Sequence, residues 1–235
     1  MRVVVFGVSG GIGRALAEGL VTRGHDVIGF SRSETDPIEG VVMGRCNLLN
    51  EDDLAAAAEQ VKAAGGADMV LVAAGLLSDG DGLQPEKSFR QQRLDAFETV
   101  FRANTFGPAL AAKHMIPLLP REGRAVFAAL SARVGSISDN RMGGWHAYRA
   151  AKAALNMLIR NYAIEQGRRN REFIAVGLHP GTVDTPLSQP FQGNVPDNKL
   201  FSPAYSAGCL LDVIDGLGPE QSGRVFDYAG KEVPA

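Results

Sequence analysis

The sequence predicts an α/β fold, a single domain built on a doubly wound parallel sheet with helices on both faces. Three observations carry that expectation. Strand-length runs that are apolar throughout alternate with helix-length stretches whose apolar residues recur every three or four positions; the 235 residues, 45% hydrophobic, suffice for one core of that size; and no repeat, low-complexity tract or linker divides the chain. A strand without polar alternation is covered on both sides, as parallel strands are. Right-handed crossovers then place helices on both faces.

The apolar run of residues 3–6 ends at Gly7, and Ile12, Ala15, Leu16, Gly19 and Leu20 follow at helical spacing, so the chain opens as strand, glycine turn and helix. The unit repeats. Residues 25–30 and 41–45 read as the second and third strands, and residues 51–64 as a helix whose acidic first turn suits the positive end of its dipole. Residues 69–73 form a fourth strand. After the polar loop SDGDGLQPEKS, one long helix is expected over 93–119, then a strand over 124–130, a long helix over 147–168 and a sixth strand over 173–179. The Pro-, Gly- and Asn-rich stretch 186–203 is long for a connection inside a compact domain and reads as a substrate lid. A shorter helix to about residue 216 and a strand over 225–228 complete the pattern.

Composition narrows the partners. With 24 Lys+Arg against 26 Asp+Glu, the net charge of -2 offers no footprint for nucleic acid or an anionic membrane. Cys46 and Cys209 stand in no metal-ligand spacing, and His25, His114, His146 and His179 pair with nothing at helix or strand spacing, so neither a metal site nor a disulfide framework is read. The apolar run at the N-terminus is too short for a signal peptide or a membrane span, and a cytoplasmic location is expected. A small molecule or cofactor is the partner these exclusions favour.

The turn GVSGGIG supplies Gly7, Gly11 and Gly13 between a strand and a helix start. Glycines there permit a tight turn and let backbone N–H groups approach a pyrophosphate, whose charge the helix N-terminus favours. Tight packing of strand on helix accounts for the same glycines without a ligand. At the end of the second strand stand Ser31 and Arg32, where a site for NAD usually carries an acid. An arginine pairs with a ribose 2′-phosphate that an acid would repel, so NADPH is the preferred cofactor over NADH. A solvated surface arginine is the competing reading.

Tyr148 and Lys152 lie four residues apart on a predicted helix and share one face. A phenol is a weak acid at neutral pH, but a nearby ammonium favours the phenolate and lowers its pKa. Such a pair also arises by chance on many helices. Ser131, ending the strand before, and Asn104, inside the long helix before that, tip the reading toward chemistry, because open α/β sheets bind ligands at the carboxyl ends of their strands.

Taken in order, Gly7-x3-Gly11-x-Gly13, Ala73-Ala74-Gly75, Asn104-x-x-Gly107, Ser131, Tyr148-x-x-x-Lys152 and Pro180-Gly181-Thr182-Val183-Asp184-Thr185 resemble the short-chain dehydrogenase/reductase superfamily over nearly the whole chain. The run SARVGSISDNRMGGWHAYRAAKAALN, with Glu86-Lys87-Ser88 and HPGTVDTPLSQPF, resembles its C-factor-like branch. That resemblance implies a Rossmann-type sheet. It makes Tyr148 the general acid toward a carbonyl oxygen, Lys152 the group that lowers the phenol pKa and holds the nicotinamide ribose, Ser131 a donor to the reacting oxygen, and Asn104 the holder of a water linking Lys152 to solvent. Candidate cofactor contacts are Gly7, Ser9, Gly11, Ile12, Gly13, Ser31, Arg32, Asn47, Leu48, Ala73, Ala74, Gly75, Tyr148, Lys152, Pro180, Gly181, Val183 and Thr185. Phe6 replaces a common threonine, Ala73 a common asparagine that ties strands together, and Asn47 a common aspartate facing the adenine. The interval from Ser131 to Tyr148 is long, and its extra residues, with 75–84, 132–145 and 186–203, are expected to wall the substrate pocket. Trp145 either lines that pocket or caps the core.

The first function these readings imply is NAD(P)-dependent hydride transfer between NADPH and a small carbonyl or alcohol. A second, from another class, is a cofactor-binding signalling or sensor protein in which turnover is incidental; it would need the glycine turn and Arg32 but not the Asn104, Ser131, Tyr148, Lys152 set. A sugar-nucleotide epimerase is disfavoured, because too little chain follows the sixth strand to build a substrate domain. The two long helices resemble those that pair across dimers in the superfamily, so a homodimer or homotetramer is expected.

Overall fold

The computed structural model describes residues 1–79 and 82–235. Its strands are β1 (Arg2–Phe6), β2 (Asp26–Ser31), β3 (Val41–Arg45), β4 (Met69–Val72), β5 (Ala125–Leu130), β6 (Phe173–His179), β7 (Thr182–Val183), β8 (Leu200–Phe201), β9 (Arg224–Asp227) and β10 (Glu232–Val233). The main sheet runs β10-β9-β6-β5-β4-β1-β2-β3, parallel throughout except where β10 turns back against β9. The order reverses at β1, between β2 and β4, which makes the sheet doubly wound and opens a crevice at that point.

Helices α1 (Gly11–Thr22), α2 (Glu51–Ala63), α3 (Leu94–Phe101), α4 (Gly107–Met115), α5 (His146–Gly167) and α6 (Pro203–Gly216) cover both faces. Alternate residues of β1 serve opposite layers: Val3 and Val5 join Leu16, Leu20, Leu210 and Ile214 of α1 and α6, while Val4 and Phe6 join Leu54, Met115, Leu155 and Ile159 of α2, α4 and α5. The run is apolar throughout because neither face of the strand meets water. The parallel strands bring Gly7, Ala73–Gly75, Ser131 and Pro180 to a single edge.

The expected helix over 93–119 is divided. It runs as α3, a π-helical turn at Arg102–Phe106, α4 and a 3₁₀ turn at Ile116–Leu118. Pro108 has no N–H to offer the carbonyl four residues before it, and the Asn104 side chain takes the Val100 carbonyl at 2.9 Å, so the regular ladder gives way between them. Residues 186–203 carry two 3₁₀ turns and end in β8, which pairs with β7 beside the main sheet. The short strands β7, β8 and β10 escape periodicity because they span two residues each. Part of the expected pocket wall, Gly80 and Asp81, lies outside the described residues. Among the described residues no helix is long and apolar enough to cross a membrane.

Candidate active site

The site begins where β1 turns into α1. Gly7 adopts φ of +91°, a left-handed conformation that favours glycine. A Cβ on Gly13 would lie 2.1 Å from the Gly7 carbonyl oxygen, and one on Gly7 would lie 3.0 Å from the Ala73 backbone, so turn, helix and β4 close on one another only without side chains. The N-cap of α1 is Gly10, with no side-chain cap and no acidic residue in the first turn. Its orphan N–H groups and the positive end of its dipole are thus left for an anion.

Two cavities meet along this turn. One, of about 280 Å³, is lined by Gly7, Ser9, Ser31, Arg32, Asn47 and Leu48 among others; the second, of about 370 Å³, by Gly11, Ile12, Ser131, Tyr148, Lys152 and Pro180 among others. Ser9, Gly10, Ala73, Ala74 and Gly75 border both, so the two form one elongated cleft over the crevice. Arg32 is exposed at the first cavity and has no ion pair among the described residues. Asn47 spends its Oδ1 on the Leu49 N–H at 3.1 Å, closing a local turn. Cys46 borders the same cavity, but burial pushes its thiol up to about 12, which makes it inert rather than nucleophilic.

The second cavity is organised by α5. Gly143 and Gly144 have positive φ, and Trp145 follows at φ 51°, the one non-glycine with that sign among the described residues. The Glu86 loop pins this entry: the Trp145 N–H donates to the Glu86 carbonyl at 2.5 Å, and the Ala147 N–H to the buried Glu86 carboxylate at 3.3 Å. An acid at the helix N-terminus complements the dipole. So held, Trp145 stands edge-on to Tyr148 at 6.3 Å and to Phe191 of the 186–203 segment at 5.3 Å. Lys152 is buried, donates to the Leu130 carbonyl at 2.8 Å and lies 5.7 Å from the Tyr148 ring centre. Ser131 is buried at the end of β5, where its N–H donates to Leu178 and its Oγ donates to Asn156 Oδ1 at 2.6 Å.

Burial sets both protonation states here. It pushes the Tyr148 hydroxyl up to about 12 and the Lys152 ammonium down to about 7. The phenol therefore moves opposite to the expectation from its spacing. Desolvation outweighs the ammonium, which is itself driven toward its neutral form.

Asn104 sits fully buried in the π turn; its Nδ2 donates to the Leu76 carbonyl at 2.6 Å and its Oδ1 accepts from the Leu76 N–H at 3.2 Å. A Cβ on Gly75 would meet Asn104 Oδ1 at 3.0 Å and Lys152 Nζ at 3.7 Å, so this glycine lets the asparagine and the lysine approach.

Most of the residues singled out by sequence line the cleft; Asn104, Gly13, Gly181 and Val183 do not. Gly181 shapes the wall instead, since a Cβ there would strike the Phe201 ring at 2.7 Å. Sequence reading passed over Asn156 and the helix-anchoring role of Glu86. Asn156 had a signal, being two turns beyond Tyr148 and one beyond Lys152. Glu86 stood in a motif of the resemblance, but its role comes from a long-range loop contact that local spacing does not show. Among the described residues no group of three His, Cys, Asp or Glu could hold a metal.

A doubly wound sheet with a glycine turn at its switch point defines a Rossmann-type nucleotide-binding class, and here the Tyr–Lys helix borders the same cleft. The family model for short chain dehydrogenases matches residues 1–195, and the chain belongs to that family. It is 42% identical over 134 residues to the C-signal of Myxococcus xanthus, covering 57% of this chain and 75% of that protein. It is 31% identical over 227 residues to a 1-hydroxy-2-glutathionyl-2-methyl-3-butene dehydrogenase of Rhodococcus sp. (strain AD45), covering 94% of each. Among solved structures, the NADPH-bound carbonyl reductase from chicken fatty liver superposes with a TM-score of 0.83 at 22% identity, over 100% of this chain and 94% of that one.

Proposed function

We propose that this chain reduces small carbonyl compounds with NADPH, and oxidises the corresponding alcohols in reverse, with Tyr148 as general acid and base. The observation that carries this reading is the convergence of Ser131, Tyr148 and Lys152 on a cavity continuous with an anion-receptive glycine turn. The uncapped α1 N-terminus and the close packing of Gly7 and Gly13 fit a pyrophosphate, and Arg32 fits a 2′-phosphate. When bound, the nicotinamide supplies the hydride. As the carbonyl is reduced, its oxygen takes the Tyr148 proton, leaving an alcohol and a Tyr148 phenolate.

Lys152 favours that phenolate once a polyanionic cofactor in the adjoining cleft favours the ammonium. Ser131 donates to the oxygen as charge develops on it. Asn104, held by Leu76 beside Lys152, is assigned the water that returns the proton. Residues 186–203, touching Trp145 through Phe191, are assigned as the lid of a single domain, and the α3–α4 stretch and α5 as the faces of a homo-oligomer. The C-signal likeness favours a second reading, a signalling protein that binds the cofactor with incidental turnover.

One experiment separates the two. A carbonyl panel followed by NADPH and NADH absorbance should reveal turnover in the native protein, and Tyr148→Phe should lose about 10²–10⁴-fold in kcat while binding NADPH as before. Turnover unchanged in Tyr148→Phe removes the tyrosine from its role.

A further inference from the structure

The Ser131–Asn156 hydrogen bond is at odds with carbonyl reduction in the form it takes. A hydroxyl has one proton, and Ser131 gives it to Asn156 Oδ1 at 2.6 Å, leaving only lone pairs for a ligand. A substrate carbonyl oxygen also brings only lone pairs. Were the serine simply to swing its proton to the substrate, Oδ1 of the half-buried asparagine would lose its donor.

The surroundings leave another route. Asn156 follows Lys152 by one helical turn and Tyr148 by two, so all three leave α5 on a common face. A Cβ on Gly135 would meet Asn156 Nδ2 at 3.1 Å and the Lys152 Cβ at 2.9 Å, so the glycine provides the space in which the carboxamide sits. Nδ2 has no acceptor among the described residues.

Resting on the carbonyl chemistry proposed for Tyr148, we infer that Asn156 is a positioning residue that sets which way the Ser131 hydroxyl points. A half-turn of the carboxamide exchanges Oδ1 for Nδ2 at the serine. The amide N–H then donates to Ser131 Oγ, and the serine proton is free to donate to the carbonyl oxygen. With Oδ1 toward the serine, as in this structure, the serine proton is held by Asn156 and Ser131 offers only lone pairs to the cavity. No proton leaves its heavy atom in this exchange. A carboxamide has a donor end and an acceptor end of equal reach, so one side chain can either hold the serine proton back or release it toward the substrate oxygen.

The test compares Asn156→Asp and Asn156→Leu with the native protein and Tyr148→Phe, measuring kcat and KM for carbonyl reduction, NADPH affinity and melting temperature. The carboxylate has two acceptor ends and no donor, so it holds the serine proton away from the substrate. The Asp variant should lose about a hundredfold in kcat, the scale for removing one donor to a developing oxyanion, and the Leu variant less, both at native NADPH affinity. A purely structural role predicts the opposite order, because Asp keeps shape and polarity. A folded Asp or Leu variant with native kcat, beside a silent Tyr148→Phe, overturns the role of Asn156 alone. Native-like turnover in Tyr148→Phe, or no turnover in the native protein, overturns the reading beneath it, and this inference with it.

Discussion

Replacing Lys152 with methionine should stabilise the ligand-free protein at neutral pH while abolishing its proposed activity. Burial lowers the lysine from 10.5 to about 7, and at 1.36 kcal/mol per unit this amounts to about 5 kcal/mol. Between pH 7 and 10.5 the unfolded chain holds a proton at this side chain that the folded one has released, so stability rises with pH across that window. Below pH 7 the cost of the buried group is present in full. Methionine escapes that cost but strands the Leu130 carbonyl that Nζ now satisfies at 2.8 Å, a loss of about 1–3 kcal/mol. The net expectation at pH 7 is a gain of about 2–4 kcal/mol, or about 4–16 °C in Tm for a chain of this size. Near pH 10.5 only the stranded carbonyl remains and the sign reverses. Thermal unfolding of both proteins at pH 7, 8.5 and 10.5 without cofactor reads this directly, since every other titration cancels in the difference. A difference flat with pH, or a variant less stable at pH 7, would refute the reasoning.

Arg32→Asp should lower the preference for NADPH over NADH about ten- to a hundredfold in kcat/KM, because a charge-assisted pair becomes a repulsion; an unchanged ratio detaches the arginine from the 2′-phosphate. Gly13→Ala puts a methyl 2.1 Å from the Gly7 carbonyl oxygen, so strand and helix must part. Overpacking of this kind costs about 1–3 kcal/mol, lowering Tm by about 2–12 °C, and the displaced turn should weaken NADPH binding; native values of both in a thermal shift titration would count against the turn's role.

The sheet is legible in the sequence because its strands are buried on both faces: the VVVF run before Gly7 has no polar residue at which a one-sided strand could face water. Local spacing likewise exposes the Tyr148–Lys152 pair and the glycine turn, both of which are short-range by nature. What escapes is set by contacts across the chain. Apolar residues recur smoothly on either side of Asn104, so periodicity extends one helix through the π turn; only Pro108 hints at the break. Glu86 stands in a motif of the C-factor-like branch with no role attached to it, yet it is 4% exposed because its carboxylate accepts from the Ala147 N–H at the start of α5. The protonation states escape for a similar reason. Spacing reveals that an amine neighbours a phenol but not how much water either retains, and here dehydration decides the direction of both shifts.

The site divides between what a helix dictates and what must be aligned separately. Tyr148, Lys152 and Asn156 keep their mutual spacing through the pitch of α5, and Glu86 fixes where that helix begins. Ser131 belongs to another element and reaches the same cavity from the end of β5. Its backbone is held by β6 through Leu178, but a hydroxyl still rotates freely about its Cβ–Oγ bond. Precision in that last torsion has to come from a side-chain partner, and the partner present is on α5 itself. The helix that carries the acid thereby also controls the donor that shares its oxygen, so a disturbance at Glu86 should reach Tyr148 and Ser131 together.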